Sequence, residues 1–555
     1  MKIRRLATCL ALVIAMAFTA IAPAGCGAVG GELTQEEAGK ELSALLTKIR
    51  VDTATPLLDI GGTELTAPGA ELPDISNYPL SVRGTGQVDV EIFGSTEKAG
   101  PGMDGWLNTV AEAFNKEGRT VNGKKATVSI RPLASGTAAE YIITGVYIPD
   151  VYTPANELWG EMIKSQGIPI ETAATRIAGN TAGILMSRKA DSDFRSKYGE
   201  VTLSSILEAV LNGELLLGYT NPYASSTGLN ILTAMLKAFD GADPLSSQAT
   251  YKLEQFQAKV PPVAYTTAQM RESAKKGVLD AMIMEYQAYI NEPSLKDYVF
   301  TPFGERHDNP VYALNNLSGE KREALDLFIA YCLEAKSQKE AERYGFNANE
   351  SYKGVKVGMT GAQLFAAQRV WKEKKDAGRP VAAVFVADTS GSMEGTPIKE
   401  LRTSLINAAQ YINDENYIGL VSYSNDVEIS LPIDSFNATQ RAYFSGAVKS
   451  LSASGSTATY DAVLVGLDML LKKQAELPNA KLMLFVLSDG EQNEGYALSR
   501  ITPIVKGLGI PVHTIGYNAN LDELKKISEI NEASSVNASE SDVIYNLKNI
   551  FNAQL

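Results

Sequence analysis

The sequence predicts an α/β chain in which a two-lobed unit is followed by a doubly wound, Rossmann-like domain on a parallel sheet. Three observations support this. From Val88 onward, short apolar strands alternate with amphipathic helices, the pattern of βαβ units. The run Val381-Ala382-Ala383-Val384-Phe385-Val386-Ala387 is apolar throughout, as a strand buried on both faces requires. At 555 residues the chain is also too long for one hydrophobic core. Hydrophobic residues make up 45% and charged residues 21%, which excludes a disordered or fibrous chain. A net charge of −13 argues against nucleic acid as a partner.

The first element is a secretory signal over residues 1–25. Lys2, Arg4 and Arg5 precede an apolar run from Leu6 to Ile21, followed by small residues. That run is too short and wrongly flanked for a mature spanning helix. Ala24-Gly25-Cys26 resembles the bacterial lipobox, which implies that Cys26 becomes the lipidated first residue, although Pro23 stands where that motif usually has leucine. The alternative is ordinary cleavage near Ala24. A lipidated Cys26 would anchor the protein to the outer face of the bacterial cell membrane. Cys9 leaves with the signal, so Cys332 is then alone, in an apolar stretch that reads as core, and a disulfide framework is excluded by arithmetic. Residues 26–83 read as tether and linker. Within them Thr34 and Glu37 form a capping box for a helix reaching Ile49. The proline-bearing stretch 52–80 is either linker or an arm packed on a domain.

Residues 84–355 form the two-lobed unit. The strands Val88–Ile92, Ala126–Leu133 and Pro149–Tyr152 each end in a small polar loop before a helix, which predicts a parallel sheet with its loops at one edge. Thr181–Ser187 leaves this unit for a second one, and Ala281–Glu285 is expected to return toward the first. Ala134-Ser135-Gly136-Thr137, Pro149-Asp150-Val151-Tyr152-Thr153-Pro154, Thr220-Asn221-Pro222 and Ser225-Ser226-Thr227-Gly228 together resemble the type II periplasmic solute-binding proteins. The resemblance implies two lobes that close on a solute. Candidate ligand contacts are Ser135, Thr137, Thr153, Asn156, Thr220, Asn221, Ser225, Ser226, Thr227 and Glu285, placed at strand ends and helix starts where free N–H groups suit a small polar or anionic solute. Taken singly, the hydroxyls read equally as helix caps, and Glu285 opposes an anion.

Residues 358–555 form the doubly wound domain, opened by an amphipathic helix at 358–375. Its first strand ends in Asp388-Thr389-Ser390-Gly391-Ser392. An aspartate and two hydroxyls at alternating positions in such a turn can converge on one point, and hard oxygens suit Mg²⁺ or Mn²⁺. Thr457, in Gly455-Ser456-Thr457, and Asp489, after the apolar run Leu482–Leu487, follow in order. This set resembles the metal-ion-dependent adhesion site of the von Willebrand factor A family. The resemblance implies direct ligation by Ser390 and Ser392, and by Thr457 directly or through water. Asp388 and Asp489 then act through water or by holding the hydroxyls, and the partner is a protein that offers a carboxylate to the metal.

Enzymatic constellations are absent from the sequence. It has two histidines: His513 in an apolar strand reads as core, and His307 beside Asp308 reads as solvated surface. No nucleophile motif, P-loop or paired zinc ligands occur. The expected function is binding, by a surface lipoprotein that engages a protein or matrix partner through a metal and offers a solute-binding cleft. The alternative is the substrate-binding component of a transport system.

Overall fold

The computed structural model describes residues 33–55, 57–59, 69, 72–260, 279–490, 492–517, 521–531, 535–538 and 543–555. The signal sequence, Cys26 and the glycine-rich stretch after it lie outside the described residues.

After a short strand β1 (Val51–Thr53), the chain builds a first lobe on β2 (Val88–Gly94), β3 (Thr120–Val121), β4 (Lys124–Pro132), β5 (Val151–Thr153) and β6 (Ile170–Ala174). β2 runs parallel to both β4 and β5, as strands separated by helices predict. A second lobe follows on β7 (Thr181–Ser187), β8 (Leu217–Gly218), β9 (Ala281–Glu285) and β10 (Tyr298–Arg306), in the order β10-β7-β9-β8. β9 does not return to the first lobe. It sits between β7 and β8, because all five of its residues are buried and need a neighbour on each side. The return is made after β10, where β11 (Val311–Leu314) inserts between β5 and β6 of the first sheet.

The third sheet contains β12 (Val381–Asp388), β13 (Tyr417–Tyr423), β14 (Val427–Ser435), β15 (Lys481–Ser488), β16 (Val512–Tyr517) and β17 (Ser535–Ala538). β12 is central, parallel to β13 and β15, and buried along its whole length.

Two expectations about domain limits are corrected. The segment read as tether and linker contributes to the third sheet: β1 pairs in parallel with β14, Val51 opposite Val427. The helix Gln35–Leu46 ahead of it, closed by the Thr34–Glu37 capping box, buries Ala38, Leu42 and Leu45 among Val463, Leu467, Ile501 and Val505. The physical cause is an apolar stripe at helical spacing on an otherwise polar helix. Beyond β1 the chain behaves as an arm. Asp59 accepts from Ser445 Oγ at 2.7 Å in the third-sheet domain, and Pro73 O accepts from Tyr141 Oη at 2.5 Å in the first lobe. The second correction concerns the helix Gly361–Lys374, which belongs to the two-lobed unit. Leu364, Ala367 and Trp371 join the core shared by both lobes. Trp371 Nε1 donates to Tyr219 Oη at 2.7 Å, and Gln368 Nε2 donates to Pro222 O at 2.9 Å. The described residues of 33–59 and of 381–555 therefore pack as one body, with the two-lobed unit inserted between them in the chain.

Candidate metal centre and interlobe cleft

β12 delivers Asp388, which is fully buried, to the C-terminal end of the central strands of the third sheet. Its Oδ1 accepts from the Ser390 N–H at 2.8 Å and its Oδ2 from Ser488 Oγ at 2.6 Å. Ser390 Oγ lies 3.1 Å from Ser392 Oγ, which donates to Asp489 Oδ1 at 2.9 Å. Four of the five residues singled out in the sequence thus form one hydrogen-bonded chain across the ends of β12 and β15. The fifth, Thr457, is buried on a neighbouring loop that docks through the Gly391 N–H on Gly455 O, 2.9 Å. Its own N–H donates to Asn493 Oδ1 at 2.8 Å, and its hydroxyl stays outside that chain. Gly455 permits the approach: its φ is +84°, and a Cβ there would lie 1.9 Å from Asn425 Oδ1.

Burial pushes the Asp388 carboxyl above its ordinary range, against the hydrogen bonds from Ser390 and Ser488. Asp489 is raised for the same first reason, with the Asp388 charge adding to it. Two carboxylates held at an energetic disadvantage, next to three hydroxyls, make an all-oxygen donor set with unsatisfied demand for positive charge. Among the described residues no three His, Cys, Asp or Glu side chains are placed to hold a metal ion together, so hydroxyls are a necessary part of any cation site here. The donor chemistry fits Mg²⁺ or Mn²⁺. Ser488, Asn493 and Asn425 were not anticipated. Ser488, next to Asp489 at the end of an apolar strand, carried the one readable signal.

In the two-lobed unit the facing loops touch. The Gly136 N–H donates to Ala224 O at 3.1 Å, Asn156 Nδ2 to Ser226 O at 3.1 Å, and Trp159 Nε1 to Ser226 Oγ at 3.0 Å. A Cβ on Gly136 would stand 2.1 Å from Tyr223 O. All the predicted cleft residues are buried, but they divide by role. Ser225 caps the helix Ser226–Phe239 by accepting from the Gly228 N–H, and Thr220 Oγ1 donates to it at 2.9 Å. Asn221 closes its own turn on the Tyr223 N–H, and Ser135 Oγ accepts from the Ala155 N–H at 3.4 Å. Thr137 faces the third-sheet domain, where its hydroxyl accepts from Tyr545 Oη at 2.9 Å. These residues serve the fold. Thr153, Asn156, Ser226, Thr227 and Glu285 remain between the lobes.

Glu285 is the hub there. Its Oε1 lies 2.7 Å from His307 Nδ1 and accepts from Thr227 Oγ1 at 3.3 Å, while Oε2 accepts from Asn180 Nδ2 at 2.9 Å. This corrects the surface reading of His307, which is fully buried. Its Nε2 faces the Nδ2 amides of Asn156 and Asn230 at 3.2 and 3.0 Å, which assigns the ring proton to Nδ1. Lys98 was also unforeseen. Buried behind the first-lobe loops, it donates to Ser95 Oγ, Thr153 O and Pro154 O at 2.6, 2.7 and 3.1 Å. His513 is core as expected, stacked on Phe485 with centroids 4.9 Å apart. Cys332 is buried, and no described helix is long and apolar enough to cross a membrane.

Residues 383–553 match the family model of the von Willebrand factor type A domain, and residues 98–347 match that of the bacterial extracellular solute-binding proteins. Among curated proteins, inter-alpha-trypsin inhibitor heavy chain H1 of Sus scrofa is 27% identical over 175 residues, which is 29% of this chain and 18% of that one. The chain thus spans under a fifth of that relative's length. Similar solved structures include the sulfate-binding protein SubI from Mycobacterium tuberculosis H37Rv, at 13% identity and a TM-score of 0.34, covering 48% of this chain and 88% of that one. Another is a von Willebrand factor type A protein from Catenulispora acidiphila, at 17% identity and a TM-score of 0.28, covering 31% and 42%.

Proposed function

Starting from a chain that joins a bacterial extracellular solute-binding domain to a von Willebrand factor type A domain, we propose a cell-surface lipoprotein that binds a protein partner through a metal and a solute between its lobes. The observation that supports the metal reading most is the continuous chain Ser488–Asp388–Ser390–Ser392–Asp489 at the C-terminal end of the central strands of the third sheet. Ser390, Ser392 and Thr457 would hold Mg²⁺ or Mn²⁺, with Asp388 and Asp489 orienting the hydroxyls or bound water. Bound there, the ion supplies a Lewis-acidic point of positive charge to which a partner's carboxylate can attach. Neutral hydroxyls leave that charge uncancelled, so an acidic side chain gains a charge-assisted contact.

The residues of the chain do the positioning. Asp388 fixes the Ser390 backbone, Ser488 fixes Asp388, and Asn493 holds the Thr457 loop. The two lobes, meeting on Asn156, Ser226 and Glu285, support solute capture as the second activity of the same molecule. The lipid anchor rests on the Ala24-Gly25-Cys26 sequence. Calorimetry of the full chain should give a single Mg²⁺ or Mn²⁺ site that Asp388→Ala removes. A peptide bearing one glutamate should then be retained on the immobilised protein only with the ion present. Full ion binding by Asp388→Ala, or peptide retention in EDTA, would refute this function.

A further inference from the structure

The groups enclosed between the lobes differ sharply in what hydrogen bonding they have left. Most of the side-chain nitrogen donors are engaged. All three N–H bonds of the Lys98 ammonium are directed at Ser95 Oγ, Thr153 O and Pro154 O. The Nδ2 groups of Asn156, Asn180 and Asn230 reach acceptors, and His307 Nδ1 is turned on Glu285. The acceptors are not spent. Asn156 Oδ1, Gln287 Oε1 and Glu97 Oε2 are buried oxygens with no hydrogen-bond partner, and Thr153 Oγ1 is a fourth. The amide orientations are secure, because Asn156 Nδ2 faces a carbonyl and Gln287 Nε2 faces Met103 O and Asp104 Oδ1.

These atoms belong to one connected cluster. Asn156 meets His307, which meets Glu285; the Glu285 charge acts on both Glu97 and Lys98. Lys98 in turn binds the backbone of Thr153, and Gln287 binds the loop that holds Asp104, whose charge also acts on Glu97. Within the cluster two glutamates, Glu97 and Glu285, stand beside one lysine, Lys98. An oxyanion placed here would lie beside two glutamates, Glu97 and Glu285. A donor-rich cation would satisfy the orphaned oxygens and balance the charge.

Resting on the solute-binding reading above, we propose that the solute of this cleft is a small molecule bearing a primary ammonium group, held by Glu97, Thr153, Asn156 and Gln287. Parting the lobes admits it. On closure its N–H bonds take the acceptors that the protein leaves open. Burial, with the Glu285 charge beside it, raises Glu97 while burial lowers Lys98, so a cation entering next to Glu97 also favours its ionised form.

The test is a thermal-shift and calorimetric comparison on the full chain with putrescine, ethanolamine, choline and sulfate. Putrescine or ethanolamine should stabilise the protein and bind. Choline, a cation without N–H donors, should bind at least about tenfold more weakly, and sulfate should leave the protein unchanged. Glu97→Gln should weaken the amine at least about tenfold, and Thr153→Val, which keeps the backbone contacts to Lys98, should weaken it by a smaller factor. Sulfate binding without amine binding would overturn the proposed ligand class and leave solute capture standing. Silence of all four probes would overturn the proposed ligand class. Amine binding indifferent to both substitutions would place it elsewhere and overturn the site.

Discussion

The N-terminal helix gives the sharpest test of the architecture. Leu42 is 1% exposed and packs among residues more than 400 positions away, Val463, Leu467, Ile501 and Val505. Leu42→Ala removes a core side chain whose cavity the two helices packed against it cannot fully collapse, a loss of about 2–5 kcal/mol. For a domain of this size, each kcal/mol lowers the melting temperature by about 2–4 °C, so a fall of roughly 4–20 °C is expected. Calorimetric scans of the full chain, with and without Mg²⁺, identify which transition belongs to the metal domain, because an ion bound to the native state raises that one. Leu42→Ala should lower the Mg²⁺-sensitive transition and spare the other. If the substitution moves neither transition, or only the insensitive one, the segment is a tether and the packing argument fails.

Asp388→Asn should abolish the Mg²⁺-induced rise in melting temperature while leaving the ion-free protein as stable or more so, because it removes a fully buried carboxylate that burial disfavours; scans in EDTA and in Mg²⁺ separate the two effects. His513 titrates at about 4 in the folded protein through burial, against 6.5 when free. The unfolded chain therefore takes up the proton first, so stability falls as pH drops from about 6.5 to about 4, by up to about 1.4 kcal/mol per pH unit. His513→Phe should flatten that limb in urea titrations across this range. Gly136→Ala drives a methyl against Tyr223 O, and small-angle scattering should report a more open two-lobed unit; an unchanged profile would mean the loops yield without parting the lobes.

Much of this was legible because the relevant signals are local. Asp388, Ser390, Ser392 and Asp489 each follow or end an apolar strand, so placing the strand places the residue. Thr34 and Glu37 announce their capping box within four residues. The misread parts depend on long-range packing. Nothing in Val51-Asp52-Thr53 names Val427 as its partner, and a three-residue exposed strand has no periodicity to read. The helix Gly361–Lys374 shows an apolar face but not which surface will cover it. His307 sits among Arg306, Asp308 and Asn309, a polar neighbourhood in sequence, yet Glu285 and two asparagines enclose it in space. The hydroxyl at Ser225 reads as a ligand contact because a helix cap and a ligand site ask for the same residue types, and that of Thr137 because nothing local shows that Tyr545 will meet it.

The direction in which the first helix lies has a consequence for presentation. Leu33 rests on Gly507, at the end of the helix Leu498–Leu508, whereas Leu45 O receives Tyr496 Oη, just before that helix begins and close to the metal loops. The chain therefore enters the domain at the pole remote from Asp388 and climbs toward it over twelve residues, roughly 18 Å. Lys481, at the start of β15, meets Asp376 at this same remote pole, where the two-lobed unit joins. From Cys26 to Thr34 the backbone can stretch at most about 28 Å. A lipid on Cys26 would thus hold the solute-binding unit and the domain junction near the bilayer, and turn the metal centre outward toward whatever approaches the cell.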